Sequence, residues 1–378
     1  MRGGNAPEFV AQSSLSVNNM IPTAITMAAA ASSTTATSCV TGATGFLASE
    51  LVAQLLERGH TVQATVRSLA NPERVAYLRE LPGAASKLKL LEADLLADGS
   101  FDACVAGAQY VFHTASPFVT VGVTDPQSQL IAPALNGTRN VFASIERAGL
   151  KPRVVVTSSI AAVMGTLSDE KTNGACFDED DWNNSSKADG GGLDSYRYSK
   201  LVAEREAWDR AAELGLQLST INPSFIIGPP RTPRVDGESL RNMQQALQGE
   251  TPHRGDTPMI DVRDCAAAHI AAATLPAGAG KRFLTTSAQL VPRGRVVELL
   301  HQAYPQWEIP RLAHPDDDGT GALNEWVGWQ DGEVHFCSKN LASIGIELRD
   351  PEGSLLDMAE AMLAHGVVQP KPRQRDEL

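Results

Sequence analysis

Basic charge is in short supply in this chain. Its 378 residues hold 32 Lys and Arg against 44 Asp and Glu, a formal net charge of −12. A protein that tracks a phosphate backbone needs a clustered basic surface, so nucleic acid is excluded as a partner. Long apolar runs are missing too, and no stretch approaches the roughly 20 residues of a membrane-spanning helix. Cysteine is sparse: residues 39, 104, 176, 265 and 337 are odd in number, lie far apart and form no C-x-x-C pair. That spacing excludes a zinc site and predicts reduced thiols without a disulfide framework, buried as small apolar residues in a cytosol-like compartment. There is no internal repeat. What is present, 43% hydrophobic and 20% charged residues, is the composition of an ordinary globular protein. The length suits one large α/β unit or two coupled domains.

Residues 1–37 are rich in Ala, Ser and Thr without periodicity and read as a disordered leader. Met20–Ala31 is mildly apolar, but the long, nearly uncharged segment before it contains Glu8 and makes a poor signal peptide. Residues 371–378 read as a charged tail ending in Arg375-Asp376-Glu377-Leu378. That tetrapeptide resembles an ER-retention signal, which matters only in a translocated chain. The expected compartment is the cytoplasm, with the ER lumen as the alternative.

Between these ends, strand and helix patterns alternate every 15–30 residues or so, the signature of an α/β fold with a doubly wound parallel sheet. Strands are expected at 38–40, 60–67, 87–91, 109–114, 153–159 and 218–223. Helices are expected from Glu50, over 74–81 behind Asn71-Pro72, over 101–106, over 126–148 with bends at Pro133 and Gly137, and over 194–214. The run Val154-Val155-Val156 has the continuous apolar character of a strand buried on both faces. Beyond Pro230 the pattern turns irregular, with helices near 238–247, 262–273, 294–303 and 353–364. The expected division is therefore a dinucleotide-binding domain over 38–222 and a mainly substrate-binding lobe over 223–370, some of whose segments return to the first domain.

Three local patterns carry chemistry. Thr41–Ala48, TGATGFLA, has the G-x-x-G-x-x-A spacing of a strand that turns sharply into a helix and lets a pyrophosphate approach its backbone. Alone, it is also compatible with an ordinary turn. The end of the second strand lacks the acidic residue that would bond a ribose 2′-OH; Arg67 stands there instead. A guanidinium suits a 2′-phosphate, and hence NADP(H), while the bland alternative is a solvated arginine. Finally, Tyr196 and Lys200 are four apart at the start of a helix and share one face. A nearby ammonium stabilises the phenolate and makes a tyrosine a usable proton donor near neutrality. This pair lies 37 residues after Ser159, which closes a buried strand at the same end of the sheet.

Taken in order, TGATGFLA (41–48), ATVRS (64–68), VFHTASP (111–117), VVVTSSIAAV (154–163), YRYSK-LVAE (196–204), INPSFIIGP (221–229) and DVRDCAAAHI (261–270) resemble the extended short-chain dehydrogenases/reductases. The likeness spans about 38–368 and points to the branch of dihydroflavonol reductases, cinnamoyl-CoA reductases and yeast-type aldehyde or methylglyoxal reductases. It implies a Rossmann fold and an NADP(H)-dependent reduction of a small-molecule carbonyl in a monomer or homodimer. It further implies a catalytic Ser159, Tyr196 and Lys200, with Ser158 the alternative serine. Gly42, Gly45, Phe46 and Leu47 would cradle the pyrophosphate and Arg67 the 2′-phosphate. Asp94 and Leu95 would flank the adenine. Thr114, Ala115, Ser116, Pro223 and Ile226 would bound the nicotinamide, with Tyr196 and Lys200 beside it.

Departures from the family narrow the substrate. Cinnamoyl-CoA reductases carry an N-W-Y-C-Y string where this chain has Leu193-Asp194-Ser195-Tyr196-Arg197-Tyr198, which counts against CoA thioesters. Met164 stands where dihydroflavonol reductases place a polar residue. Phe118, Val163, Met164, Phe225, Ile226 and Ile227 then form an apolar pocket wall, unless they are core packing. His113 and Trp182 read as structural. No metal is expected. Competing readings are a sterol-like alcohol dehydrogenase, a sugar-nucleotide epimerase, which Arg67 disfavours, and a non-catalytic NADP sensor, which would not need Ser159, Tyr196 and Lys200.

Overall fold

Strand β1 (Thr37–Val40) feeds the glycine turn and helix α1 (Phe46–Glu57), and β2 (Thr61–Val66) follows. This is the strand–turn–helix that the TGATGFLA spacing predicts. The computed structural model describes residues 35–116, 122–165, 176–232, 234, 237–250, 257–287, 290–309 and 336–373. Phe118, the Arg375–Leu378 tetrapeptide and residues 1–34 of the expected leader lie outside them, whereas Thr37, also expected in the leader, begins β1.

The chain continues through α2 (Ala76–Arg79), α3 (Ala84–Lys87), β3 (Leu88–Glu92), α4 (Asp102–Val105), β4 (Tyr110–His113), α5 (Ala132–Ala148), β5 (Arg153–Thr157), α6 (Gly192–Leu214) and β6 (Leu218–Pro223). Then come β7 (Phe225–Ile227), α7 (Glu238–Leu247), β8 (Thr257–Asp261), α8 (Val262–Thr274), β9 (Arg282–Thr285), β10 (Leu290–Val291), α9 (Arg293–Ala303) and α10 (Pro351–Ala364). Seven strands form one sheet in the order β3-β2-β1-β4-β5-β6-β9, every pair parallel. The fold is a doubly wound Rossmann sheet. Its two faces carry separate cores: Leu51, Leu55, Val62, Cys265 and Phe283 on the α1 and α8 side, and Val111, Phe142, Val154 and Leu218 on the α4, α5 and α6 side. Burial on both faces is why β5 reads as an unbroken apolar run.

Two elements beyond residue 222 belong to this layer: α8 packs on α1 and β9 pairs with β6. The remainder builds a second core, in which Leu240, Met243, Val296, Leu300, Met358 and Met362 surround a three-stranded sheet ordered β10-β8-β7.

The expected helix over 74–81 is a 3-10 turn, Pro72–Val75, followed by the single turn α2, with Asn71 Oδ1 accepting from the Glu73 N–H at 3.2 Å. Over 126–148 a π-helical turn, Gln127–Ile131, comes just before Pro133, and the α-helical assignment of α5 runs through both Pro133 and Gly137. The Pro133 ring has no N–H to continue an α-helical ladder backwards. Gly137 instead serves close packing, since a Cβ there would stand 2.5 Å from Leu95 Cγ.

The cysteine reading is overturned. Cys39 in β1 is bonded to Cys104 in α4, and Cys176 to Cys337, with Cα–Cα distances of 5.4 and 5.6 Å. The partners are 65 and 161 residues apart in sequence, and only folding brings them together. The argument from cysteine to a reducing compartment falls with them. Cys265 alone is free; it is buried, and burial pushes its thiol up to about 12.

Candidate active site

The sheet order reverses its direction of growth between β1 and β4, and in such sheets ligands bind in the crevice outside the strand carboxyl ends at that switch point. The glycine turn stands there. Gly42 adopts φ +72°, and a Cβ on it would meet Ala115 Cβ at 3.1 Å, so both backbone angle and space demand glycine. Thr65 in β2 ties the turn down, its Oγ1 accepting from Gly42 N at 3.1 Å and its carbonyl from Ala43 N at 2.8 Å. Helix α1 begins with Gly45 as an N-cap that supplies no side-chain bond, and its first turn holds no acidic residue. The N–H groups of that turn, at Phe46 and Leu47, have no intrahelical partner. The positive helix end therefore faces the crevice uncapped and suits a pyrophosphate.

Thr41 couples this turn to the end of β4. Its hydroxyl oxygen accepts from Thr114 N and Ala115 N at 3.1 and 3.0 Å. The hydroxyl hydrogen is left for His113 Nδ1 at 3.1 Å, which makes that nitrogen an acceptor and the imidazole neutral. Burial, and then the Lys200 ammonium, push His113 down to about 4. This histidine is a structural strut, as its sequence context suggests.

Past β2, Arg67 is exposed and makes no hydrogen bond or ion pair among the described residues. Past β3, Asp94 is exposed and accepts from Leu96 N at 2.9 Å through Oδ1, while the Leu95 carbonyl accepts from Asn140 Nδ2 at 2.9 Å.

Past β5 the two serines part ways. Ser158 is buried and donates its hydroxyl to Glu204 Oε2. Ser159 is half-buried, and its hydroxyl oxygen accepts from Ala161 N at 3.1 Å, capping the short turn Ile160–Ala162. Helix α6 brings Tyr196 and Lys200 to the same place. Tyr196 packs with Ala161, Leu130 and Leu193. Lys200 Nζ lies 5.8 Å from the Tyr196 ring centroid and donates to Ser116 Oγ at 2.9 Å. Its side chain is almost wholly buried, and that burial lowers the ammonium to about 8, against the opposing pull of Glu204. One ammonium thus links the tyrosine helix to the loop after β4.

The pocket-wall residues are not gathered in one place. Val163 and Met164 are buried with Ile160, Phe177, Leu284 and Phe336. Ile227 is buried in the second core, against which Phe225 is half-buried, whereas Ile226 packs against the sheet core. Pro223 ends β6 and is buried.

A family model described as the NAD dependent epimerase/dehydratase family matches residues 38–284, well over half of the chain. The chain belongs to this family. Members among the relatives include Cinnamoyl-CoA reductase 1 of Arabidopsis thaliana, 34% identical over 343 residues, which are 88% of this chain and 91% of the relative. The bifunctional dihydroflavonol 4-reductase/flavanone 4-reductase of Pyrus communis is 31% identical over 345 residues, 90% and 94% of the two chains. Among solved structures, Gre2 from Candida albicans in complex with NADPH is similar with a TM-score of 0.73 at 30% identity, over 87% of this chain and 99% of that one. The resemblance read from the ordered motifs therefore holds at the level of the extended dehydrogenase/reductase family and its Rossmann fold.

Within this family member, sequence reasoning missed the polar floor beneath the serines: Glu204, Thr220, Asn222 and Arg282. The available signal was a second four-residue step, since Glu204 follows Lys200 as Lys200 follows Tyr196. It missed Thr41 and Thr65 for a plainer reason. Thr65 in its strand looks like a β-former, and Thr41 like one more residue of the turn, until their partners are known.

Proposed function

We propose that this chain reduces an aldehyde or ketone to the alcohol with NADPH, using Tyr196 as proton donor in a Ser159–Tyr196–Lys200 set. Its family and its reductase relatives make it a nicotinamide-dependent oxidoreductase, so the proposal concerns the cofactor form, the residues and the substrate. The observation that carries it is the buried Lys200 ammonium, set between the Tyr196 ring and Ser116 Oγ. A cation in that position favours the phenolate over the phenol, so the Tyr196 hydroxyl gives up its proton to a carbonyl oxygen more readily than an ordinary tyrosine. The Ser159 hydroxyl, half-buried at the same strand end, supports the role of donor to that developing oxyanion. Ser158 is spoken for by Glu204.

When bound, NADPH supplies the hydride that adds to the carbonyl carbon. The residues present fit it. The uncapped α1 terminus and the glycine turn offer N–H groups to the pyrophosphate, and the exposed Arg67 offers a guanidinium to the 2′-phosphate. The NADPH in the Gre2 complex supports the same choice.

Leu193–Tyr198 departs from the cinnamoyl-CoA reductase string and Met164 from the dihydroflavonol pattern. Both departures support a free aldehyde or ketone over a thioester or a catechol-bearing flavonoid. The test is NADPH consumption by the purified protein with aliphatic and aromatic aldehydes, diketones, dihydroflavonols and hydroxycinnamoyl-CoA esters. Turnover of aldehydes or ketones is expected. Tight NADPH binding with no turnover of any carbonyl would instead indicate a sensor.

A further inference from the structure

Helix α6 turns a third residue toward the strand ends after Tyr196 and Lys200. Glu204 is 1% exposed, and a carboxylate so deeply buried must be paired and hydrogen-bonded to persist as an anion. Its Oε2 accepts from Ser158 Oγ and from Asn222 Nδ2 at 2.7 Å, and its Oε1 from Thr220 Oγ1 at 3.0 Å, Arg282 Nε at 2.6 Å and Trp208 Nε1 at 3.4 Å. The network reaches Ser159 through Asn222, whose Nδ2 also donates to the Ser159 carbonyl at 3.2 Å. Arg282 is pinned in turn: its guanidinium stacks 3.9 Å from the Trp182 ring centroid, and Nη1 donates to the carbonyls of Glu179 and Asp181.

We propose that Glu204 is a positioning residue for the reaction, anchoring with Asn222 and Arg282 the strand ends that present Ser159 and setting a buried negative charge behind Lys200. This rests on the reading of Ser159, Tyr196 and Lys200 given above. Tyr196 and Glu204 face Lys200 from its own helix, and His113 and Ser116 from the end of β4. Arg282 in β9 faces it only across Glu204. His113 is neutral, so Glu204 is the anion of the group. Burial pulls the Lys200 ammonium down to about 8 and Glu204 acts in the opposite direction. Removing the carboxylate therefore lowers the lysine further, and the protonated form that supports Tyr196 is lost at lower pH.

The test follows the 13Cε resonance of Lys200 in lysine-labelled full-length protein, assigned with Lys200→Arg, across a pH titration. In Glu204→Gln the midpoint is expected to fall by about one pH unit or more, and in Glu204→Asp, which keeps the charge, to stay near that of wild type. An unmoved midpoint in folded Glu204→Gln would overturn the proposal, as would equal shifts in both variants. Asn222→Ala keeps the Glu204–Arg282 pair and serves if Glu204→Gln does not fold. Its kcat is expected to fall about tenfold, with NADPH affinity and the Lys200 midpoint unchanged. A wild-type kcat would overturn the link to Ser159. The titration reads the free protein, so its outcome is distinct from failure of the reductase reading, which would appear as wild type consuming no NADPH.

Discussion

At the scale of single residues, the proposed 2′-phosphate contact rests on Arg67. Its guanidinium is exposed and unpaired among the described residues, so an incoming 2′-phosphate meets a donor with nothing to give up. A hydrogen bond to a charged group contributes about 2 kcal/mol, on the order of thirtyfold in affinity. Arg67→Ala is expected to weaken NADPH binding by about that factor while leaving NADH nearly unchanged. Fluorescence titration with both cofactors reads the difference, and equal losses for the two would contradict the assignment. The place of Arg67 at the end of β2 was legible because strand periodicity sets it. Family resemblance favoured Ser159 over Ser158, but the partners of the two hydroxyls needed coordinates. Here Ser158 turns inward to Glu204 and Ser159 stays half-open.

At the scale of elements, α5 docks against the loop after β3 through a notch at Gly137. A methyl group there would overlap Leu95 Cγ and both Cδ atoms at 2.5–2.9 Å. Gly137→Ala gains helix propensity but overpacks this contact, an effect that costs about 1–3 kcal/mol. A lower urea midpoint is expected, and unchanged or raised stability would contradict the notch. Sequence periodicity read Gly137 as a bend because a helical glycine has two explanations, weak helix and close neighbour, and the neighbour lies 42 positions away. Long helices such as α6 and α8 were legible almost to the residue. β8, β9 and β10 were not, being two to five residues long and paired with distant strands.

At the scale of the whole molecule, two disulfides join segments that the cysteine spacing kept apart. They leave one free thiol, that of Cys265. Thiol titration of the denatured, unreduced protein is expected to find one reactive group; five would contradict both bridges. The same long-range folding assembles the candidate site, whose glycine turn joins β1 to α1, whose Ser159 follows β5 and whose Tyr196 lies on α6. The ordered motifs named the candidate residues through family resemblance, whereas Thr220, Asn222 and Arg282 beneath them meet Glu204 only through the fold. The central claim is that Tyr196 donates the proton in an NADPH-dependent carbonyl reduction. Its most direct test measures aldehyde-dependent NADPH oxidation and NADPH binding side by side for wild type and Tyr196→Phe. The account predicts turnover by wild type, loss of about a thousandfold or more in the variant, and closely matched NADPH affinity. A variant that binds NADPH and still reduces the aldehyde at the wild-type rate would contradict it.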